Sequence, residues 1–239
     1  MSLRRNEPVQ FDWRPSPGRD YYALDAYNVK VDLVKKSMQA PFIYIEPGFA
    51  FDAKALEQPT GTAFIGYWQS EKYFFKSEIW REELTLQRPM RYAAIRAAEQ
   101  LRGENSVFIH IRRGDYLNPG TAAYHGNLGH ANLQEGYYKD AIAYITEKVN
   151  NPKFVIFSDD PTWCQQNMPY PVISAQGFNR CEDLYLMSQC RHAILANSSF
   201  SWWGAWLGDY SGRICIAPKK WFNADVDTST LIPDRWVRL

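Results

Sequence analysis

Residues 110–116, His-Ile-Arg-Arg-Gly-Asp-Tyr, are where we expect the functional centre of this chain, because they join an apolar run to a turn that carries two guanidinium groups and a carboxylate. They overlap an apolar run, residues 106–111, whose β-branched and aromatic side chains predict a strand. Gly114 permits a sharp turn after that strand. Arg112 and Arg113 are adjacent, so on an extended backbone they point to opposite faces. One of them should therefore bind a ligand while the other braces the turn.

Polar residues also follow two other predicted strands. Residues 154–157 lead into residues 158–160, Ser-Asp-Asp, and residues 192–196 lead into residues 197–201, Asn-Ser-Ser-Phe-Ser. The carboxyl ends of parallel strands lie at one edge of a sheet, where open α/β sheets bind ligands. We therefore expect the three polar segments to converge on one ligand.

The residues Ser198, Ser199, Phe200 and Ser201 begin a predicted helix. The first turn of a helix offers backbone N–H groups without intrahelical partners and the positive end of the dipole, which together favour an anion. Ordinary capping by serine would explain the same residues. An arginine on a facing loop favours the anion site, because a guanidinium pairs bidentately with phosphate. The combination predicts a diphosphate ligand.

Asp159, Asp160 and His110 admit more than one interpretation. Either aspartate could accept hydrogen bonds from the N–H groups of a guanine edge. However, Pro161 follows Asp160, and a carboxylate before proline is typical of a helix N-cap. His110 lies inside a strand, where a histidine is most often structural, although it could also bond a base or hold the arginine turn.

Composition excludes several classes of protein. The chain has 239 residues and a formal net charge of +1, so no broad electrostatic field favours nucleic acid or an anionic membrane as a partner. The four cysteines form no CxxC pair, which predicts reduced thiols and no metal site. The sequence lacks a GxGxxG dinucleotide fingerprint. It also lacks a run of about 18 apolar residues and a secretory signal, so we expect a cytoplasmic protein without an integral membrane span.

Strand and helix patterns alternate between residues 106 and 217, which predicts a parallel sheet with right-handed crossovers, a Rossmann-like domain. The predicted strands are 42–45, 63–68, 106–111, 154–157, 171–173, 192–196 and 213–217. The predicted helices are 89–103, 135–149, 182–189 and 198–207. Residues 1–20 predict a loop, and residues 21–34 predict no element.

Three helix faces can be predicted from residue spacing. Tyr92, Ile95 and Ala98 should share one face of the helix that Pro89 opens and that ends at Gly103. Tyr138, Ile142, Ile145 and Val149 form an apolar stripe on the next helix. The tryptophans at 202, 203 and 206 should mostly pack that helix against the sheet, with Gly204 allowing a neighbouring strand to approach.

With these residues assembled, the chain resembles the bacterial-type α-1,2-fucosyltransferases. The matching segments are 66–74 (GYWQSEKYF), 110–116 (HxRRGDY), 157–160 (FSDD) and 197–207 (NSSFSWWGAWL). The resemblance implies an α/β glycosyltransferase of the GT-B type with two Rossmann-like domains. Residues 1–103 would form the acceptor-side domain and residues 104–239 the GDP-fucose-binding domain.

The resemblance also implies a reaction: inverting, metal-independent transfer of fucose from GDP-fucose to the 2-hydroxyl of a terminal galactose on a glycan, without a cofactor. The acceptor would be a lipopolysaccharide or capsule precursor in a bacterial cytoplasm. Arg112 would grip the donor diphosphate, and Asp115 would be the base that deprotonates the acceptor hydroxyl, with a salt bridge to Arg113 as its structural alternative. The donor-binding residues implied are His110, Arg112, Arg113, Asp160, Ser198, Ser199, Phe200 and Ser201.

The N-terminal part departs from the family pattern. Members of the family begin with a strand and a Gly-rich GGLGNQ-type turn before the region matched here, and this sequence contains no such segment. We therefore expect an incomplete first domain and weakened donor binding. Two alternatives remain open: a nucleotide- or glycan-binding protein without turnover, and a fucosyltransferase of a different linkage.

Overall fold

The computed structural model describes residues 10–12, 26–29, 32–34, 40–74, 77–86, 90–117, 135–208 and 211–239, and of residues 10–12, 32–34, 77, 115 and 135 it describes the backbone alone. The chain divides into two compact units, Met1–Pro89 with Val226–Pro233, and Met90–Asp225 with Asp234–Leu239. The helix Tyr92–Gly103 therefore belongs to the second unit, whereas the sequence analysis assigned it to the first domain.

The first unit contains two parallel strand pairs. Its strands are β1 (Gln10–Asp12), β2 (Asp32–Val34), β3 (Phe42–Ile45) and β4 (Thr62–Ile65), and β1 pairs with β2 while β3 pairs with β4. Two 3₁₀ helices, Ala53–Glu57 and Glu71–Tyr73, and the helix α1 (Ser77–Glu83) follow β3 and β4. The sequence analysis missed β1 and β2 because three-residue strands are too short to show a periodic pattern.

The segment Val226–Pro233 joins the first unit through specific hydrogen bonds. The backbone N–H of Phe51 donates to the hydroxyl of Thr230 at 2.6 Å. The buried hydroxyl of Ser70 donates to the carbonyl oxygen of Thr230 at 2.9 Å. No pattern in the sequence predicted that a segment near the C-terminus would belong to the first unit.

The second unit is built on five parallel strands in the order β6-β5-β7-β8-β9. These strands are β5 (Ser106–Ile111), β6 (Lys153–Ser158), β7 (His192–Ile194), β8 (Cys215–Ala217) and β9 (Val237–Arg238). The helices are α2 (Tyr92–Gly103), α3 (Gly114–Leu117), α4 (Glu135–Lys148), α5 (Pro161–Asn167), α6 (Arg180–Gln189) and α7 (Ser199–Leu207). The predicted α/β, Rossmann-like class is confirmed.

The core of the second unit lies between the sheet, mainly its interior strand β5, and the helix α4. All six residues of β5 are buried. The predicted stripe on α4 is confirmed, because Ile145 and Val149 are buried in this core and Tyr138 and Ile142 pack against it. Burying each such aliphatic side chain stabilises the fold by about 1.5–3 kcal/mol. A fully buried strand therefore positions the residues that follow it.

The segment predicted as a strand at residues 171–173 is instead a single bridge followed by a 3₁₀ helix, Ile173–Gln176. The carbonyl of Pro171 accepts a hydrogen bond from Ile156 N at 2.8 Å. Proline has no N–H to continue a ladder. The next backbone donor on this edge, Ser158 N, bonds the side chain of Ser174 at 3.0 Å. The Ser174 hydroxyl thus accepts the hydrogen bond that a backbone carbonyl of the expected strand would have accepted.

The structure shows which residues of α2 and α7 are buried. On α2 the buried residues are Ala94, Ala98 and Leu101, whereas Tyr92 is 75% exposed and Ile95 is 38% exposed. On α7, Trp202 and Trp206 are buried and stack with an interplanar angle of 10°, as packing residues should. Gly204, however, permits the approach of a helix rather than a strand, because its nearest neighbour is Met187 on α6.

Among the residues that the structure describes, no helix is both long and apolar enough to span a membrane.

Candidate functional site

The carboxyl ends of β6, β5 and β7 lie side by side, and the polar segments after them contact one another. The guanidinium of Arg112 lies 3.2 Å from the carboxylate of Asp159, which joins the β5 and β6 ends. The hydroxyl of Tyr116 donates to the carbonyl of Asn197 at 3.0 Å, which joins the β5 and β7 ends. The convergence expected from the sequence is therefore present in the fold.

Arg112 is held from two sides. Its Nη1 lies 3.2 Å from Asp159 Oδ2, and its guanidinium carbon lies 5.5 Å from the centre of the Tyr116 ring. The side chain remains 32% exposed. A guanidinium with restricted motion and an accessible face loses little conformational freedom when it binds an oxyanion.

Asp159 and Gly114 form the turn around this arginine. Asp159 Oδ1 accepts a hydrogen bond from the backbone N–H of Arg113 at 2.9 Å, so one carboxylate fixes both the turn and Arg112. A Cβ atom at Gly114 would lie 2.5 Å from Asp159 Oδ2. Glycine is thus required here by a close approach of the carboxylate.

Arg113 has the contacts of a bracing residue. Its Nε lies 3.1 Å from Asp160 Oδ2, and its guanidinium carbon lies 3.7 Å from the centre of the Trp163 ring. Asp160 Oδ1 caps α5 by accepting from Trp163 N at 3.1 Å. Both carboxylate oxygens of Asp160 therefore have structural partners, and its contact with a nucleoside stays a prediction.

The helix α7 begins beside this turn. Ser198 caps the helix, with its hydroxyl oxygen accepting from Phe200 N at 3.3 Å. The hydroxyl of Ser201 is buried and donates to the carbonyls of Ala196 and Ser198, at 3.3 and 3.2 Å. The Ser201 hydroxyl is therefore directed into the fold, while Ser199 is exposed. Donor binding by these residues stays a prediction.

His110 connects β5 to α7 as a neutral ring. It is 3% exposed, and its ring lies 5.8 Å from that of Phe200. Burial, together with the charge of Arg112, lowers the pKa of His110 to about 3. The imidazole therefore adds no positive charge to the site at neutral pH. Tyr138 on α4 donates to the His110 carbonyl at 3.0 Å, which fixes the end of the strand.

Asp115, the candidate base, lies in α3, whose backbone the structure describes. Its side chain lies outside the described residues. Both the catalytic role of Asp115 and its alternative, a salt bridge with Arg113, therefore stay predictions.

A hydrogen-bonded chain behind the site was not anticipated. Asp183 on α6 bonds the side chain of Ser174, Ser174 Oγ accepts from Ser158 N at 3.0 Å, and Ser158 Oγ accepts from Asp160 N at 3.0 Å. Burial raises the pKa of Asp183 to about 7, and the neighbouring charge of Glu182 adds to this. Asp183 Oδ1 is buried without a hydrogen-bond partner among the described residues.

The sequence contained little that could have identified Asp183 as part of this chain. An acidic residue in the first turn of a helix is normally explained by the helix dipole. Glu182 beside it has an ordinary structural role at the helix start, since it completes a capping box with Asn179 and forms an ion pair with Arg91. Only the tertiary contact with Ser174 distinguishes the two carboxylates.

Within the part of the chain that the structure describes, no group of three or more His, Cys, Asp or Glu side chains is arranged to hold a metal ion. Independence of the reaction from metal stays a prediction.

Comparison with known proteins adds independent information. The chain is 38% identical over 183 residues to an alpha-1,2-colitosyltransferase of Escherichia coli, which covers 74% of this chain and 62% of that protein. It is 39% identical over 141 residues to the O-antigen biosynthesis glycosyltransferase WbnK of Escherichia coli, covering 56% and 45%. It is 27% identical over 221 residues to the galactoside 2-alpha-L-fucosyltransferase SEC1 of Bos taurus, covering 78% and 59%.

The matches to these relatives thus span 45–62% of their lengths. Residues 48–238 match the family described as Glycosyl transferase family 11. That range contains β4 of the first unit and the whole five-stranded sheet of the second unit, with the polar segments at its carboxyl edge. Because the match covers most of its length, the chain belongs to glycosyl transferase family 11.

Proposed function

We propose that this protein transfers fucose from GDP-fucose to the 2-hydroxyl of a terminal galactose on a glycan. The observation that carries the proposal is the position of Arg112 at the carboxyl edge of the sheet, beside the first turn of α7. A diphosphate bound there would meet a guanidinium from one strand end and the backbone N–H groups of a helix start from another.

The reaction needs charge stabilisation on the leaving group. The bond between the fucose anomeric carbon and the β-phosphate oxygen breaks while the acceptor oxygen forms its new bond from the opposite face, which inverts the configuration. Charge therefore develops on the β-phosphate of GDP. Arg112 and the start of α7 would stabilise that charge, which is our reason for expecting no metal and no cofactor.

The acceptor hydroxyl must also lose its proton as it attacks. A carboxylate close to Arg112 is the natural base, and Asp115 is our candidate. In Asp115→Asn we expect transfer to galactosides to fall by about 10²–10⁴-fold, while GDP affinity, measured by calorimetry, is unchanged. Transfer at the wild-type rate would show that Asp115 is not the base.

The acceptor and the linkage are supported by the relatives. Galactoside fucosyltransferases of mammals and glycosyltransferases of Escherichia coli, one of them named for O-antigen biosynthesis, are among them. We propose a glycan precursor in the bacterial cytoplasm as the acceptor.

The central experiment is a transfer assay with GDP-fucose and a β-galactoside such as lactose. We expect a trisaccharide in which NMR places an α-linked fucose on the galactose 2-hydroxyl, and we expect turnover to persist in excess EDTA. A product with fucose at another hydroxyl would favour a different linkage. Tight binding of GDP without any transfer would favour a nucleotide-binding protein without turnover.

A second donor deserves a direct comparison because of one relative. The alpha-1,2-colitosyltransferase is 38% identical to this chain. Colitose is L-fucose without its 3-hydroxyl, so the two donors differ by a single polar group. A higher kcat/KM for GDP-colitose than for GDP-fucose would identify colitose as the transferred sugar. A site that hydrogen-bonds the 3-hydroxyl should instead reject the deoxy analogue strongly.

A further inference from the structure

Tyr67 is an exposed aromatic residue at the carboxyl end of β4. Its side chain is 72% exposed, and its ring stacks on that of Phe49 with centres 5.8 Å apart and an interplanar angle of 26°. β3 and β4 are parallel, so the residues after both strands lie at the same edge. In open parallel sheets this edge is where ligands bind.

Glu46, which follows β3, holds the turn after β4. One of its carboxylate oxygens, Oε2, accepts from the backbone N–H groups of Tyr67 and Trp68, at 2.6 and 2.9 Å. A Cβ atom at Gly66 would lie 2.6 Å from this oxygen. The side chain of Glu46 and the lack of a side chain at Gly66 therefore determine together how Tyr67 is presented.

The backbone of this turn is strained. Trp68 has a φ of +53°, which is uncommon for a residue other than glycine and costs about 1–3 kcal/mol. The side chain of Trp68 points into the unit, where its ring contacts those of Tyr44, Phe64 and Tyr73. The turn thus anchors the half-buried ring of Trp68 among other aromatic rings and exposes the ring of Tyr67.

We infer that Tyr67, held by Glu46, is the platform on which the first unit binds the terminal pyranose of the glycan acceptor. The C–H face of a galactopyranose is apolar and flat enough to stack on an aromatic ring, while the tyrosine hydroxyl offers a hydrogen bond at its rim. Restricting the ring before the sugar arrives reduces the entropy cost of binding. This inference rests on the proposed function, since it assumes a glycan acceptor.

A sugar explains this surface better than a purely apolar partner does. Ile43, Ile45 and Ile65 are also exposed, and alone they would suggest contact with a second copy of the chain. An aliphatic contact, however, requires neither a tyrosine nor a strained turn held by a carboxylate. Members of this family act on sugars, and an aromatic ring beside polar groups is the combination that a pyranoside requires.

The test is the kinetics of Tyr67→Ala with lactose as acceptor and GDP-fucose as donor. We expect the KM for lactose to rise by about 10-fold, which corresponds to the loss of one aromatic stacking contact, while the KM for GDP-fucose is unchanged. Tyr67→Phe keeps the ring and should restore the KM to within about 3-fold. Glu46→Gln should raise the lactose KM without changing the KM for GDP-fucose, because it weakens the bonds that hold the turn.

Tyr92→Ala is the matched control, since Tyr92 is 75% exposed but lies on α2 of the second unit. It should leave both KM values unchanged. An unchanged lactose KM in Tyr67→Ala would overturn the inference. So would a change of sedimentation coefficient in Tyr67→Ala with the same lactose KM, because it would identify a contact between copies of the chain.

Binding without turnover separates this inference from the proposed function. Saturation-transfer NMR of the full chain with GDP and lactose should show transfer to the galactose protons, and Tyr67→Ala should lose it. If that result holds while no fucose is transferred, the proposed reaction fails and the platform stands. If the wild-type protein transfers fucose normally and Tyr67→Ala retains the NMR signal, the platform fails and the reaction stands.

Discussion

Asp159 accepts a hydrogen bond from the backbone of Arg113 with one carboxylate oxygen and lies 3.2 Å from the guanidinium of Arg112 with the other. One side chain from the β6 end therefore fixes the turn after β5 and the cation that this turn carries. A donor diphosphate would bind an arginine whose position is already restricted. This arrangement reduces the reorganisation required when charge develops on the leaving group.

Arg112→Lys tests whether the geometry of the guanidinium, and not its charge alone, is needed. Lysine keeps the charge but cannot pair bidentately with a phosphate while also contacting Asp159. We expect kcat to fall by about 10²–10³-fold, as for the loss of one stabilising donor. Arg96→Lys, on an exposed i,i+3 pair with Glu99, is the control. An equal effect of both changes would contradict a specific role for Arg112.

Two substitutions of Asp160 distinguish its role as the cap of α5 from its role as the ion-pair partner of Arg113. Asp160→Ser keeps an oxygen for Trp163 N, so we expect stability close to that of the wild type with lower affinity for GDP, because Arg113 loses its partner. Asp160→Ala should also lose about 1 kcal/mol of unfolding free energy with the cap. Urea unfolding and GDP calorimetry give the two quantities. Equal stability of the serine and alanine variants would contradict the capping role.

Asp183 should make stability depend on pH. Its folded-state pKa is raised to about 7 by burial, whereas the unfolded chain ionises near the ordinary value of 3.8. The protonated carboxyl favours folding. Its contribution to the free energy of unfolding is therefore complete below about pH 4 and falls as the pH rises toward 7. Above that pH the contribution has been lost and the free energy no longer changes through this group. Asp183→Asn cannot ionise and should therefore gain stability relative to the wild type across this window.

Unfolding in urea at pH 5, 6, 7 and 8 measures this difference, which we expect to reach a few kcal/mol. Asp140→Asn, at an exposed position on α4, is the control, and its free energy of unfolding should change with pH in parallel with that of the wild type. Glu182 titrates outside the window, since its pairing with Arg91 lowers its pKa to about 2. A constant difference between wild type and Asp183→Asn from pH 5 to 8 would contradict the raised pKa.

Gly204→Ala tests the contact between α6 and α7. An added Cβ would lie 2.8 Å from the Cβ of Met187 and 2.9 Å from its sulfur, so the helices must separate. We expect a loss of about 1–3 kcal/mol of unfolding free energy. Gly136→Ala on α4 meets nothing within 4 Å and should instead gain up to about 1 kcal/mol through helix propensity. Thermal unfolding of the two variants should shift in opposite directions.

The sequence alone was sufficient for four of the five parallel strands of the second unit, β5 to β8, and for the convergence of three polar strand ends, but it missed β9. Strands such as β5 and β6 are long, apolar and bounded by turn residues, so local patterns identify them, and parallel topology then places their carboxyl ends together. The stripe on α4 followed from spacing for the same reason.

Only the tertiary structure decided which partner each side chain has. It assigned Asp159 to Arg112 and Asp160 to Arg113, directed the Ser201 hydroxyl into the fold, and linked Asp183 to the turn through Ser174. The two ion pairs join residues far apart in the chain, and no local pattern encodes them. The replacement of the strand expected at 171–173 by the Ser174 hydrogen bond has the same cause: a long-range contact took precedence over local propensity.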